Sequence, residues 1–179
     1  MKEYKPFITF IVKVLCIYIL WFVVYEQFLG KYNYIDDFLT RTEASLVAGL
    51  FELFGYSDIS FQSNPPDASE VYWAGKKIIG ISDSCNGLVL FVIFAGFVIS
   101  FPSKWKHRLI YIPFGIVAIY FLNIIRIFSL ALIFIYYPYY LDFNHHYTFT
   151  FFVYMDIFLL WMAYVKKYGK LETVDATSS

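Results

Sequence analysis

The sequence predicts an all-α polytopic membrane protein with about four transmembrane helices and a small extracytoplasmic cap. Of its 179 residues, 60% are hydrophobic and only 16% are charged, and the mean hydropathy is +0.59. Soluble domains are about 45–50% apolar and about 25% charged, so this chain has too little polar surface to face water on all sides. We therefore expect residues 1–179 to form a single integral membrane domain.

Four stretches are apolar enough to cross a bilayer, at about 20 residues for each helical span. They cover residues 7–29, 85–101, 109–137 and 147–165. The third stretch, at a rise of about 1.5 Å per residue, would reach about 43 Å against a hydrocarbon core of about 30 Å. It is therefore predicted to bend, tilt or project beyond the bilayer. No small-residue cleavage site follows the first stretch, which we expect to remain as an anchor.

The distribution of basic residues predicts that both termini lie in the cytoplasm. With the N-terminus inside, segments 1–6, 102–108 and 166–179 carry eight Lys and Arg residues in 27 positions. The opposite side, residues 30–84 and 138–146, carries four in 64 positions, together with nine acids. Lys and Arg are enriched in cytoplasmic segments of membrane proteins, and an even number of spans agrees with this orientation.

The long outer segment, residues 30–84, has the pattern of a folded cap. Apolar residues recur at helical spacing over 44–54, which predicts a short amphipathic helix on the membrane face. Residues 64–67 (NPPD) are a turn signal, and residues 71–82 (VYWAGKKIIGIS) have a strand-like composition around Gly75. The cap is thus predicted to hold an amphipathic helix, and its pattern also allows a β-hairpin.

Three kinds of reactive side chain fall at the outer ends of the predicted spans. Cys85 opens the second span, and Arg126 lies about 26 Å along the third from its cytoplasmic start. His145 and His146 immediately precede the fourth span. Topology alone therefore brings a thiol, a guanidinium and an imidazole to one interface.

These side chains suit acyl transfer. A cysteine in the first turn of a helix, capped by Asp83 or Ser84, is favoured as a thiolate by the positive end of the helix dipole. A nearby imidazole can accept the thiol proton and return it to a leaving amine, and Arg126 can stabilise an oxyanion. Each residue alone also has an ordinary structural interpretation, as a packed thiol, an interfacial imidazole or a snorkelling arginine. The occurrence of all three kinds of side chain at one predicted interface favours a catalytic site.

The motifs around these residues resemble the exosortase and archaeosortase family of membrane cysteine transpeptidases. Residues 83–88 (DSCNGL) are similar to its motif of an acid, a Cys, a small polar residue, Gly and an aliphatic residue, although Asn86 stands where Ser is common. An Asn three residues before an Arg matches residues 123–126, and a His before the last span matches residues 144–147. The resemblance covers residues 71–161, and the short, aromatic-rich chain is similar to the family's short variants in Bacteroidetes-type genomes.

The resemblance implies a membrane-embedded cysteine peptidase or transpeptidase of the bacterial inner membrane, with its active site outside. Such an enzyme recognises a C-terminal signal of a short motif, a hydrophobic helix and a basic tail, cleaves it through a cysteine thioester, and passes the protein to a surface acceptor. Its partners would be membrane-anchored protein substrates in the lipid bilayer, with no metal or organic cofactor. The implied catalytic residues are Cys85, Arg126, His145 and His146, and the implied substrate-binding or supporting residues are Asp83, Asn86, Gly87 and Asn123. Either histidine fits as the base, and the His-x-Tyr-x-Phe spacing favours His145.

Two other functions are compatible with parts of the pattern. A non-enzymatic polytopic subunit of an export or assembly complex would use Cys85 only for packing. A thiol oxidoreductase needs a resolving cysteine, and Cys16, about 14 Å from the inner end of the first span, lies too far from Cys85 to exchange with it. The formal net charge of zero gives no electrostatic footprint for nucleic acid, so we expect no nucleic-acid partner.

Two charged residues fall inside predicted spans at comparable depth. Lys13 lies in the first span and Asp156 in the fourth. Because a charge inside a bilayer usually has a partner, the sequence predicts that the two pair, or that Asp156 is protonated and hydrogen-bonded to a tyrosine.

Overall fold

The computed structural model describes residues 5–25, 27, 34–64 and 68–177, which form a helical bundle and a cap that contains one small sheet. The helices are α1 (Lys5–Val24), α2 (Tyr34–Leu53), α3 (Leu88–Ser100), α4 (Trp105–Tyr136), the one-turn α5 (Leu141–Phe143) and α6 (Phe149–Thr177), and the strands are β1 (Ile59–Asn64), β2 (Ala68–Trp73) and β3 (Lys76–Ile81). A 3₁₀ turn, Asp83–Cys85, precedes α3, and a π-helical turn, Asn144–Thr148, joins α5 to α6.

Among the described residues, three helical segments are long and apolar enough to cross a membrane. They are Phe7–Val24, Trp105–Tyr136 and Pro138–Gly169. The predicted mostly helical, polytopic architecture is thus confirmed at this level. The second predicted span, 85–101, contains the 13-residue helix α3, which rises only about 20 Å and is shorter than the hydrocarbon core.

The third predicted span is one helix of 32 residues, which starts earlier than the hydropathy pattern indicated. Helix α4 begins at Trp105 and continues through Pro113 to Tyr136. At a rise of about 1.5 Å per residue it is about 48 Å long, so it extends well beyond the thickness of a bilayer core. The end after Asn123 packs against the cap.

Aromatic side chains fill the bundle formed by α1, α3, α4 and α6. Phe97 of α3 stacks on Trp161 of α6 with ring centroids 4.3 Å apart. Near the start of α4, His107 stacks on Tyr168 of α6 at 4.2 Å. The first turns of α4 and the last described turns of α6 therefore meet at one end of the bundle.

The predicted pairing of Lys13 with Asp156 is wrong. Within the described part of the chain, no ion pair joins them. The Lys13 side chain is exposed on α1, whereas Asp156 borders a small cavity between α3, α4 and α6 beside Leu90 and Ile119. Helix α1 packs mainly on α3 instead of α6.

The cap is larger and more ordered than the sequence pattern indicated. The amphipathic helix predicted over 44–54 begins ten residues earlier, at Tyr34. The strand-like segment forms the hairpin of β2 and β3, and a third strand, β1, extends it into an antiparallel sheet with the order β1-β2-β3. Most of the predicted NPPD turn, residues 65–67, lies outside the described residues.

The cap and α4 share one apolar core. Its buried residues come from α2, the sheet and the outer part of α4: Ala44, Val47, Ala48, Phe51, Val71, Ile78, Ile81, Ile124, Ile127 and Ala131. Helix α2 is therefore a structural element of the cap, because one face packs against the sheet and α4. This packing explains the excess length of α4.

Candidate active site

Cys85 lies in a turn whose backbone is held at both of its peptide groups. The Cys85 N–H donates to the carbonyl of Ser82 at 2.8 Å, and the Cys85 carbonyl accepts from Nδ2 of Asn123 at 2.9 Å. The chain then reverses at Gly87, whose φ of +77° is a conformation that favours glycine. The position of the Cys85 backbone is therefore set by contacts from Ser82, just after β3, and from Asn123 of α4.

The structure corrects the predicted start of the helix that follows Cys85. Cys85 belongs to the 3₁₀ turn Asp83–Cys85, and α3 begins only at Leu88. Neither Asp83 nor Ser84 caps α3. Instead, Oδ1 of Asn86 accepts the N–H of Leu88 at 3.0 Å. The sequence-based argument from the first turn of a helix therefore does not apply to this thiol.

His145 is the histidine that faces Cys85. Its Nε2 lies 3.8 Å from Sγ of Cys85, within hydrogen-bonding range for sulfur. His146 points elsewhere, since its Nδ1 lies 3.0 Å from the backbone carbonyl of Asp142 and 3.1 Å from that residue's Oδ1, and its side chain is 61% exposed. The π-helical turn holds both histidines, and their rings are nearly perpendicular, at 88°. The two histidines left as alternatives by the sequence thus have different surroundings.

Arg126 completes the cluster from α4. It lies one helical turn after Asn123 and borders the same cavity as Cys85 and His145. Its Nε is buried and has no hydrogen-bond partner among the described residues. Arg126 also borders a second cavity, of about 330 Å³, next to Asp83 and Gly87. The guanidinium therefore lies between the two cavities with at least one donor unused.

The cavity beside the thiol has a volume of about 550 Å³ and lies along the edge of the sheet. Five successive residues of β3, 77–81, line it. Contact with five successive residues fits a cavity that runs along the strand, in which the pairing with β2 is irregular opposite residues 77–79. The opposite wall is apolar and comes from α4, with Leu130 and Phe134. An elongated, mostly apolar ligand would fit this shape.

Two buried acids of α2 hold the residues around the thiol, and the sequence analysis missed them. Oε1 of Glu43 accepts from Nδ2 of Asn123 at 2.8 Å, and Oδ1 of Asp36 accepts from Nδ2 of Asn86 at 2.6 Å. Burial raises the pKa of Glu43 to about 8, although the Asn123 hydrogen bond and the charge of Arg126 act to lower it. The sequence did contain a signal for these acids. If the predicted helix is extended back to Tyr34, the acids share the helical spacing of the apolar residues that follow them.

Asp83 interacts electrostatically with Asp36 and Asp37 of α2. Burial raises the pKa of the Asp83 carboxyl above its usual value, and the charges of Asp36 and Asp37 raise it further.

Within the described residues, no group of three or more His, Cys, Asp or Glu side chains has the arrangement of a metal site. Cys16 and Cys85 are both free thiols, and Cys16 is exposed on α1.

The fold and this cluster define a polytopic helical membrane protein with a cysteine, a histidine and an arginine at one cavity. A model of the transmembrane exosortase family (Exosortase_EpsH) matches residues 8–165. The match covers most of the chain, which therefore belongs to this family, and the predicted family is confirmed. No curated protein and no solved structure matches the chain.

Proposed function

We propose that this exosortase-family protein is a membrane-embedded cysteine peptidase or transpeptidase that cleaves a C-terminal sorting signal. The observation that carries the proposal is the 3.8 Å approach of Cys85 Sγ to His145 Nε2 at a cavity bordered by Arg126. A thiol beside an imidazole is the minimal pair for nucleophilic acyl transfer. Family membership supports the sorting function.

Each of the three side chains has one role in the proposed reaction. His145 takes the thiol proton while Sγ of Cys85 attacks the scissile carbonyl, and Arg126 stabilises the negative oxygen of the tetrahedral intermediate. Collapse of the intermediate breaks the C–N bond, and His145 protonates the leaving amine. The thioester is then resolved by an acceptor amine, which completes transpeptidation, or by water, which completes hydrolysis.

The site is proposed to face the extracytoplasmic side of the bacterial inner membrane, with both termini inside. Basic residues flank the end of the bundle where His107 meets Tyr168, whereas Cys85 lies with the cap beyond the other end of α3. Positively charged ends of spans are retained in the cytoplasm. The proposal counts α3 as a short second crossing, beside the three described helical segments that are long enough to span a membrane.

The substrate segment is proposed to lie extended along the free edge of β3. In the described sheet β3 pairs only with β2, and the turn that follows β3 carries Cys85. A polypeptide unwound near a membrane needs partners for its N–H and C=O groups, and a strand edge supplies them. Gly80 of this strand lines the cavity beside the thiol. An extended segment here would have its scissile carbonyl close to the thiol.

The test is the intact mass of a co-expressed substrate candidate. The candidate is a protein from the same genome that ends in a short motif, a hydrophobic stretch and a basic tail, expressed with wild type, Cys85→Ala or Cys16→Ala. Because Cys16 is an exposed thiol on α1, its variant is the matched control. We expect loss of the C-terminal tail with wild type and Cys16→Ala, and an intact tail with Cys85→Ala.

Two results bear on the alternative of a non-enzymatic subunit. A substrate adduct on Cys85 that accumulates when resolution is slowed would support the thioester. Identical, uncleaved tails in all three strains, with Cys85→Ala folded and in the membrane, would contradict the enzyme and favour the assembly subunit.

A further inference from the structure

Helix α2 contributes two buried acids to the surroundings of the candidate nucleophile, and this arrangement goes beyond the cysteine, histidine and arginine cluster. The side chains involved are at most 2% exposed: Asp36, Glu43, Asn86 and Asn123. Buried carboxyl groups are costly unless they are hydrogen-bonded, so acids kept at such positions need a compensating contact. Here each acid accepts a hydrogen bond from one asparagine.

The first acid acts on the segment that follows Cys85. Asp36 accepts from Nδ2 of Asn86 through one oxygen and from the hydroxyl of Tyr25 through the other, at 2.6 and 2.8 Å. Asn86 in turn accepts the N–H of Leu88. Asp36 therefore fixes the amide orientation with which Asn86 accepts the N–H of Leu88, and with it the direction in which the chain leaves Cys85.

The second acid acts on Cys85 itself. Nδ2 of Asn123 donates both to Oε1 of Glu43, at 2.8 Å, and to the carbonyl of Cys85, at 2.9 Å. The remaining oxygens, Oε2 of Glu43 and Oδ1 of Asn123, are buried and have no partner among the described residues. Glu43 thus orients the amide that holds the nucleophile's backbone, although it does not touch the thiol.

We propose that Asp36 and Glu43 are positioning residues, which act through Asn86 and Asn123. They hold the Cys85 turn where its thiol contacts His145. The proposal rests on the proposed function, in which the Cys85 thiol is the nucleophile. The acids are seven residues apart, two turns of one helix, and so share the face of α2 that packs on the site. The cap is then part of the catalytic apparatus, because its helix sets the geometry of the membrane-embedded residues.

The proposal also fixes a protonation state for Glu43. With a pKa near 8, Glu43 is mostly a neutral acid at pH 7, so its oxygen accepts from Asn123 without placing a full negative charge near the thiol. The groups that interact electrostatically with Glu43 are Arg126 and Tyr120, both on α4. A glutamine can replace a neutral acid as acceptor, whereas an alanine cannot.

The experiment measures alkylation of Cys85 by iodoacetamide, so it needs no substrate. The full chain with Cys16→Ala carries Cys85 as its single cysteine, and intact mass follows its alkylation over pH 6–9.5 in nanodiscs. The variants are Glu43→Gln, Glu43→Ala, Asp36→Asn and Asp36→Ala. Glu52→Gln, an exposed acid on the same helix, is the matched control, and His145→Ala gives the rate of a thiol without its base.

The expected results differ between the conservative and the truncating variants. Glu43→Ala and Asp36→Ala lower the alkylation rate at pH 7 by about tenfold, towards that of His145→Ala, because the thiol moves away from the His145 imidazole. Glu43→Gln and the control stay within about twofold of the parent, since Gln keeps the hydrogen bond. The parent's pH profile also has a second inflection near pH 8, from ionisation of Glu43, and Glu43→Gln lacks it.

Two results together would overturn the proposal. Glu43→Gln would have the same alkylation rate and pH profile as the parent, and the alanine variants would be alkylated at the parent's rate. If an alanine variant fails to fold, the pH profile of Glu43→Gln still decides the role of Glu43, and Asp36→Asn with Asn86→Ala decides that of Asp36. Failure of the proposed function can be distinguished from failure of this proposal. If only the proposed function fails, the wild type leaves substrate tails intact, while the alkylation rate of Cys85 still changes in the Glu43 variants.

Discussion

Sγ of Cys85 and Nε2 of His145 lie 3.8 Å apart, although 60 residues of sequence separate them. The contact joins a 3₁₀ turn below the sheet to a π-helical turn at the start of α6. Neither turn is a regular helix, and both are held by neighbours from other elements. The predictions below test whether this contact and its supports do what the proposed chemistry requires.

The two adjacent histidines form a matched pair of variants. We expect His145→Ala to slow tail removal by about 10²- to 10⁴-fold, the usual contribution of a general base, while His146→Ala stays near wild type. The reason is that only His145 contacts the thiol. The measurement is the rate of substrate cleavage by intact mass. Equal losses in both variants would show that the imidazole roles are shared or structural.

Arg126 is expected to act through its charge and its donors. Replacing Arg126 by Gln should lower kcat by about 10²- to 10³-fold, the usual effect of losing an oxyanion donor, and Lys should restore part of the rate. Single-turnover cleavage separates this loss from weaker substrate binding. A Gln variant with unchanged kcat would exclude Arg126 from stabilising the oxyanion.

Gly80 tests the proposed position of the substrate. A side chain there meets the flexible end of Lys77, which pairs with Glu70 and can move aside. Gly80→Leu is therefore expected to leave the fold intact while it fills part of the cavity along β3. We expect a higher KM for substrate cleavage but an unchanged rate of Cys85 alkylation by iodoacetamide, a small reagent. Wild-type KM in Gly80→Leu would place the substrate elsewhere.

The raised pKa of Glu43 predicts how stability depends on pH. The folded protein keeps the Glu43 proton up to about pH 8, whereas the unfolded chain releases it near 4.5. Between these values the folded state binds more protons, so the free energy of unfolding falls as the pH rises, by up to about 1.4 kcal/mol per pH unit. Glu43→Gln lacks this contribution. Melting curves in detergent from pH 5 to 9 should therefore show a decline in Tm of wild type relative to the variant; parallel curves would contradict it.

Gly115 tests the packing that places α3 against α4. A methyl group at Gly115 would overlap the ring of Phe94, which is fully buried. Gly115→Ala is therefore expected to destabilise by about 1–3 kcal/mol through overpacking. Gly49→Ala is the control, since Gly49 lies in α2 with open space around it, and Ala there should be neutral or stabilising by about 0.5–1 kcal/mol. Equal Tm values for the two variants would contradict this packing.

The sequence by itself determined the membrane class and the family, and it singled out the candidate residues of the proposed chemistry. Hydropathy is a property of the chain itself, and insertion into a bilayer depends on it directly. The apolar stretches and their basic flanks were therefore sufficient to predict a membrane protein. The order of these candidate residues along the predicted spans also indicated that they lie close together, and Cys85, Arg126 and His145 do border one cavity. The extent of α2 was underestimated because its first turns are polar and only packing against the sheet and α4 keeps them helical.

Only the tertiary structure decided which groups touch. The difference between His145 and His146 comes from the π-helical turn, and local spacing does not encode it because both residues precede the same span. The place of Cys85 ahead of α3 follows from long-range bonds, from Asn123 to its carbonyl and from Asp36 to Asn86. Such contacts depend on how separate elements pack, and the buried acids that make them are stable only once α2, α3 and α4 have excluded water around them.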